Sequence, residues 1–401
     1  MTKPSIRAMR VRPALTRILR QPLAVSLLVC LVVGLDCPSV ARSAGGANLP
    51  FTLAWTHGTC ATCKTAKTVV GVEFVSTNEA WAVGYVPPGE TGAGDYSILH
   101  TRNGGRTWSE LPRSYQHNGP PSISFASQRE GWIMVADIPN AEQRLLHTRD
   151  GGRHWSRLSL RDLSVQDVKY LGGGVGYAAS FDVYAKQGYL YATRDSGKTW
   201  TKSALPTGIT DNQFTFVNEQ PGLLIGCLDH HIVATRSTDG GQNWGKPIAV
   251  SLTLQPPTIG NFCDVFVDAT SFPDSQHGWI LTRKRVFGLD DNMAFAVVSQ
   301  TSDGGDTWTT VFKDEYQWAL RDYTSVQFLD DHFGIITKEQ TPADGDSEAG
   351  LLYSTDGGQT WQTSQLARPV QGCRPHLGTK IYCAGPDFWL LKITRTHQVS
   401  D

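Results

Sequence analysis

One octapeptide recurs six times in this chain, and no other feature limits the fold so tightly. The copies are TRNGGRTW (Thr101–Trp108), TRDGGRHW (Thr148–Trp155), TRDSGKTW (Thr193–Trp200), STDGGQNW (Ser237–Trp244), TSDGGDTW (Thr301–Trp308) and STDGGQTW (Ser354–Trp361). Each has Ser or Thr first, Asp or Asn third, Gly fifth and Trp eighth. The shared positions are Asn103, Gly105 and Trp108; Asp150, Gly152 and Trp155; Asp195, Gly197 and Trp200; Asp239, Gly241 and Trp244; Asp303, Gly305 and Trp308; and Asp356, Gly358 and Trp361. β-rich runs such as YSILH and GLLY lead in, and short polar runs such as SELP and QTSQL lead out. That is strand, tight turn, strand. The carboxylate can accept backbone N–H bonds of its own turn, and the glycine permits positive φ. The tryptophan is expected to bury its ring against the next unit. Every shared residue has a folding role, so the reading is scaffold and not six ligand sites.

A second repeat lies upstream of each turn. An aromatic residue is followed six positions later by a small one, as in Phe74/Ala80, Phe125/Gly131, Tyr170/Gly176, Phe216/Gly222, Phe272/Gly278 and Phe328/Gly334. This predicts an innermost strand A, a short fixed turn and a strand B, followed by strands C and D around the octapeptide. The octapeptides begin 47, 45, 44, 64 and 53 residues apart. Four strands per unit of that length predict an all-β propeller. Six units are complete. The stretch 373–397 has apolar runs but no octapeptide, and Phe51–Trp55 is a strand with no partners nearby in sequence. We expect seven blades within 50–397, with blade 7 shared between 50–57 and 373–397. Such a clasp removes the free sheet edges of an open ring. Six blades with loose ends is the alternative.

Hydrophobic residues make up 40% and charged residues 18%, with 40 Gly and 12 Trp, which suits a turn-rich β protein. Residues 1–44 carry seven cations against Asp36, a net of +6; the overall charge is −1, so the rest carries −7. That balance gives no reason to expect nucleic-acid binding. Basic residues followed by the apolar run Leu23–Leu35 and Ala41-Arg42-Ser43 read as a signal peptide or an N-terminal anchor over 1–44. The mature chain is then exported, periplasmic or extracellular, without membrane insertion of its folded part, and monomeric. Beyond the leader stand Cys60, Cys63, Cys227, Cys263, Cys373 and Cys383. Their places in the repeat suggest disulfides 60–63, 227–263 and 373–383. Cys60-Ala-Thr-Cys63 lacks the setting of a redox motif and the second pair of a zinc ribbon.

No cofactor or metal site is expected. His230 and His231 are adjacent on a strand and point to opposite faces, so they do not chelate one ion, and a B–C turn is the simpler reading. Asp344, Asp346 and Glu348 echo a calcium loop but lack its distal Glu. There is no phosphate loop and no nucleophile elbow.

The octapeptides match the Asp-box, or BNR repeat. With one box per blade and the aromatic–small pairs between boxes, residues 50–397 resemble the photosystem II stability/assembly factor-like family of seven-bladed propellers. The resemblance implies a non-enzymatic platform for other proteins, with the boxes away from the ligand face. Nothing in the chain points to chlorophyll. Sialidases also carry the box, so a sialidase-like glycoside hydrolase or carbohydrate-binding propeller is the alternative. Such a site needs an arginine cluster, a Tyr nucleophile with its Glu and an acid/base Asp. The expected first arginine is missing from the region 49–74. The stretch Asp314–Tyr323 has Tyr, Glu and Arg at undiagnostic spacing, and reads as the link between blades 5 and 6.

In four-stranded blades the A–B and C–D turns share one rim, and the B–C and D–A loops share the other. Length varies on the B–C side. Loops on a rigid scaffold are where binding usually lives. Glu90, Asp95, Asp137, Glu142, Asp290, Asp291, Asp344, Asp346 and Glu348 give that rim an acidic excess suited to a cationic protein or peptide partner.

Overall fold

The structure is a computed structural model. It describes residues 49–63, 68–86, 95–111, 115–116, 122–137, 142–158, 165–182, 185, 187–216, 222–228, 231–250, 265–286, 293–317, 321–340, 348–376 and 378–396.

All the regular elements described are strands, and they form seven antiparallel sheets. Blades 1 to 6 run in chain order. Their innermost strands are Thr68–Phe74, Ser122–Phe125, Val165–Gly172, Thr210–Phe216, Val265–Ser271 and Arg321–Phe328. Blade 7 takes Gln371–His376, Lys380–Ala384 and Trp389–Arg395 from the C-terminal end and Phe51–His57 from the N-terminal end. Phe51 stands opposite Arg395 and His57 opposite Trp389, so the expected clasp is present. Each innermost strand touches that of the next blade, and Gln371–His376 touches Thr68–Phe74. The ring is therefore closed, with seven blades.

The six-residue offset is a cross-strand pair. Phe74 faces Ala80, Phe125 faces Gly131, Tyr170 faces Gly176 and Phe328 faces Gly334 across their A–B hairpins. The small residue is needed because the ring lies over it. A Cβ on Gly131 would meet Phe125 Cδ1 at 2.2 Å, and one on Gly334 would meet Phe328 Cε1 at 2.4 Å.

Seven buried clusters occupy the seven seams between blades. The aromatic residue of strand B stacks on the strand-A aromatic of the next blade. Trp81 stacks on Phe125 at 4.7 Å, Trp132 on Tyr170 at 4.7 Å and Trp279 on Phe328 at 3.7 Å between ring centroids. Blade 7 follows the rule without a tryptophan: Tyr382 stacks on Phe74 at 3.8 Å. The octapeptide tryptophans correct the sequence expectation. Trp155 meets Trp81 edge-on at 5.7 Å, and Trp200 lies 5.4 Å from Trp132. Both contacts are with the preceding blade, not the next, because the turn docks on that side. A Cβ on Gly105, Gly197 or Gly241 would likewise strike Leu390, Leu158 or Leu190 of the preceding blade.

Two disulfides are seen directly, Cys60–Cys63 and Cys373–Cys383. Cys227 is also disulfide-bonded, while Cys263 lies outside the described residues. Cys373–Cys383 ties strands A and B of blade 7, the blade whose outer strand comes from the other end of the chain.

Candidate functional site

Five of the six Asp-boxes share one hydrogen-bond pattern. In the third box Thr193 Oγ1 donates to Asp195 Oδ1 at 2.8 Å and accepts from the Gly197 N–H at 2.9 Å. Asp195 Oδ1 also accepts from the Thr199 N–H at 2.9 Å, and Oδ2 from the Thr199 hydroxyl at 2.7 Å. The boxes at Asp150, Asp239, Asp303 and Asp356 repeat this, with His154, Asn243, Thr307 and Thr360 as the seventh residue. These bonds favour the ionised form. Hydrogen bonds from His154, Thr199 and Asn243 hold Asp150, Asp195 and Asp239 at about 2. Burial opposes the effect at Asp303 and Asp356, yet their turn bonds still depress both. The first box differs: Asn103 accepts from the Thr107 N–H through Oδ1 and donates through Nδ2 to Thr107 Oγ1 at 2.8 Å. Thus the carboxylates are spent within their own turns.

The second concentration of polar groups stands at the axis. In blades 1, 2 and 5 the residue before the strand-A aromatic reaches the next blade. Glu73 Oε1 accepts from the Phe125 N–H at 3.2 Å, Ser124 Oγ from the Tyr170 N–H at 2.9 Å and Ser271 Oγ from the Phe328 N–H at 2.8 Å. By register Lys169 and Arg374 occupy the same position in blades 3 and 7. Asp167, two residues before Lys169, accepts from Ser122 Oγ at 2.5 Å and from its neighbour Val168 N–H at 2.8 Å. Burial pushes Glu73 and Asp167 above the ordinary carboxylate range, while Lys169 and Arg374 pull both down. In blade 5 Arg283 Nη2 pairs with Asp268 Oδ1 at 2.7 Å. The sequence reading missed this axial group because Glu73, Asp167 and Arg374 lie in different repeats, far apart in the chain. The position before each aromatic was the signal that could have found it.

The Asp314–Tyr323 stretch is the expected link between blades. The Tyr323 hydroxyl donates to Asp314 Oδ2 at 2.5 Å, and Tyr323 is 3% exposed, so the phenol ties two blades together. Asp330, Asp331 and His332 come within metal-holding distance of one another. Asp330 is already used by the His332 and Phe333 N–H groups and by Arg395, as a capped A–B turn. Leu228 pairs with His231 across strands B and C of blade 4, where a B–C turn was expected, and His230 lies outside the described residues.

Of the acidic rim residues, Glu90, Asp290, Asp291, Asp344 and Asp346 lie outside the described residues. Asp95, Asp137, Glu142 and Glu348 occupy strand ends at B–C connections, which places their backbones on that rim. The rims do differ. The A–B connections are five residues long in blades 1, 2, 4 and 6, two in blade 3, six in blade 5 and three in blade 7, whereas B–C connections run from two residues (229–230) to eight (87–94).

Residues 52–208 match the family profile described as Photosynthesis system II assembly factor YCF48, and residues 352–363 match the BNR/Asp-box repeat. Among solved structures the chain is similar to "YCF48 bound to D1 peptide", with a TM-score of 0.56 and 20% identity over 90% of this chain and 100% of that one. It is also similar to YCF48 from Cyanidioschyzon merolae, with a TM-score of 0.53 and 18% identity over 85% and 98%. Among curated proteins, a sialidase of Micromonospora viridifaciens is 30% identical over 154 residues, 33% of this chain and 24% of the relative. A vacuolar protein sorting/targeting protein 10 of Paracoccidioides brasiliensis (strain Pb18) is 24% identical over 194 residues, 48% of this chain and 10% of the relative. The chain therefore spans about a quarter or less of these curated relatives. Closed ring, one box per blade and the family match together make this a BNR/Asp-box seven-bladed β-propeller resembling the photosystem II stability/assembly factor-like family.

Proposed function

We propose that the chain is an exported, non-enzymatic propeller that binds a protein or peptide in the assembly or stabilisation of an envelope complex. The asymmetry of the two rims carries this reading. One rim carries the repeated Asp-box turns, whose carboxylates are consumed internally. The other holds the connections of variable length and the acidic excess. Resemblance to an assembly-factor family supports it, as does a fold neighbour whose structure holds a peptide. The partner is cationic, the mature chain acts as a monomer, and binding weakens as salt rises.

The test is capture from an envelope fraction with the mature chain as bait, with cross-linking and mass spectrometry. A specific partner that contacts the B–C loops, and is lost from an Asp344→Asn/Asp346→Asn/Glu348→Gln variant, supports the reading. Unchanged capture by that variant removes its electrostatic part. The segment shared with a sialidase favours a second reading, glycoside hydrolysis or carbohydrate binding. Turnover of a fluorogenic glycoside that one carboxylate substitution abolishes would replace the platform by an enzyme.

A further inference from the structure

The seam between blades 7 and 1 departs from the others at two positions that recur around the ring. The first is the strand-C residue opposite the strand-B aromatic or its equivalent. It is Arg236 in blade 4, Gln300 in blade 5 and Lys392 in blade 7, which stand opposite Leu223, Trp279 and Tyr382. The second is the sixth residue of the next blade's box: Asp306, Gln359 and Arg106 respectively. In two seams these positions meet. Arg236 Nη1 lies 3.6 Å from Asp306 Oδ2 while its other nitrogens donate to the Asp303 and Gly304 carbonyls. Gln359 Nε2 donates to Gln300 Oε1 at 3.3 Å.

At the 7/1 seam the same positions hold two cations, Lys392 and Arg106. They line an open cleft of about 160 Å³ together with Thr56, Asn78 and Asn103. No carboxylate stands in its wall. The third box residue, an aspartate in the other five copies, is here the neutral Asn103. Lys380 also takes the register place in blade 7 that Glu79 has in blade 1, where Glu79 Oε1 lies 2.9 Å from His100 Nε2. The sixth box position is also basic at Arg153 and Lys198, but there the strand-C residues of the preceding blade are His100 and His147; among the described seams the 7/1 seam alone sets it beside a lysine, and both cations line the cleft. Like charges brought together this way repel unless a counter-charge enters. Arginine and lysine beside amide and hydroxyl groups form the donor set for a small oxyanion.

We propose that this cleft is an oxyanion site that takes a single carboxylate or phosphate group and thereby bridges blade 7 to blade 1. It lies on the box-side rim, opposite the acidic loops, so it is separate from the partner surface above. The test titrates the full chain at low ionic strength with inorganic phosphate, and separately with glutarate, by calorimetry and by thermal shift, with chloride as control. Saturable binding of at least one probe is expected. It should weaken by about tenfold or more in Arg106→Asp, which sets an opposite charge against Lys392 as in the 4/5 seam, and in Lys392→Met. Lys198→Asp, the same change in the third box, should leave binding as in the wild type. Saturation by phosphate alone assigns the site to phosphate, saturation by glutarate alone to carboxylates, and saturation by both to either group. Failure of both probes to saturate, or equal binding by Arg106→Asp and wild type, overturns the proposal. The fifth box already carries aspartate at that position, so the turn accommodates it; should that variant misfold, Lys392→Met decides.

Discussion

Replacing Gly152 with alanine tests the scaffold reading of the boxes. Gly152 has φ of +77°, and a Cβ there would lie 2.0 Å from Cη2 of Trp81 in the preceding blade. That ring is fully buried and held on both faces, by His100 at 4.1 Å and Phe125 at 4.7 Å. It has nowhere to move, so the backbone must. The left-handed conformation costs an alanine about 1–2 kcal/mol, and overpacking a filled core costs about 1–3 kcal/mol more. The expected loss is then about 2–5 kcal/mol. Unfolding entropy of about 2.1 cal/mol/K per residue over the roughly 350 residues of the propeller span gives about 0.7 kcal/mol/K, so the midpoint should fall by about 3–7 °C. Gly173→Ala is the control. Its φ is +60° and nothing lies within 4 Å of its would-be Cβ, so only the conformational cost applies, about 1–2 kcal/mol or roughly 1–3 °C. Urea and thermal unfolding of both variants measure the difference. Equal losses would show that the box does not press on the preceding blade, and the account of the seams would fail.

Other outcomes follow from the same contacts. Trp279→Ala removes a fully buried ring stacked on Phe328 and the Nε1 bond to the Gly357 carbonyl at 3.0 Å; denaturant unfolding should show a loss of about 3–5 kcal/mol, and less than 1 would refute the seam stack. Loss of Cys373–Cys383, which closes ten residues, should cost about 3 kcal/mol, against about 1.5 for Cys60–Cys63, as read from unfolding of the two Cys→Ala pairs. Acid should act in two directions. Asp150, Asp195 and Asp239, held at about 2, contribute stability that is present above their ordinary 3.8 and lost as pH falls toward 2. Asp167 has the opposite sign: raised in the folded state, it makes the fold gain stability as pH falls from neutral toward 3.8. Asp167→Asn should therefore stabilise the protein at pH 7 and flatten that gain relative to wild type, and an unchanged pH profile would count against the axial burial.

The boxes and the aromatic–small offset were legible because each is a local rule. A turn that needs Asp and Gly, and a hairpin that sets Phe125 over Gly131, must be written in consecutive residues wherever they occur. Repetition of those rules at a blade's length dictated the propeller, and the partnerless strand at Phe51 dictated the clasp. The ring decided what is not local. The side on which Trp155 and Trp200 dock depends on how one blade leans on another, and no single repeat encodes that. The axial gathering of Glu73, Asp167, Lys169 and Arg374 exists only because strands from three blades converge on one line. Lys392 and Arg106 are ordinary surface cations in the chain. They line one cleft because closure brings the last blade against the first, and electrostatic energy depends on distance in space, not on separation in sequence.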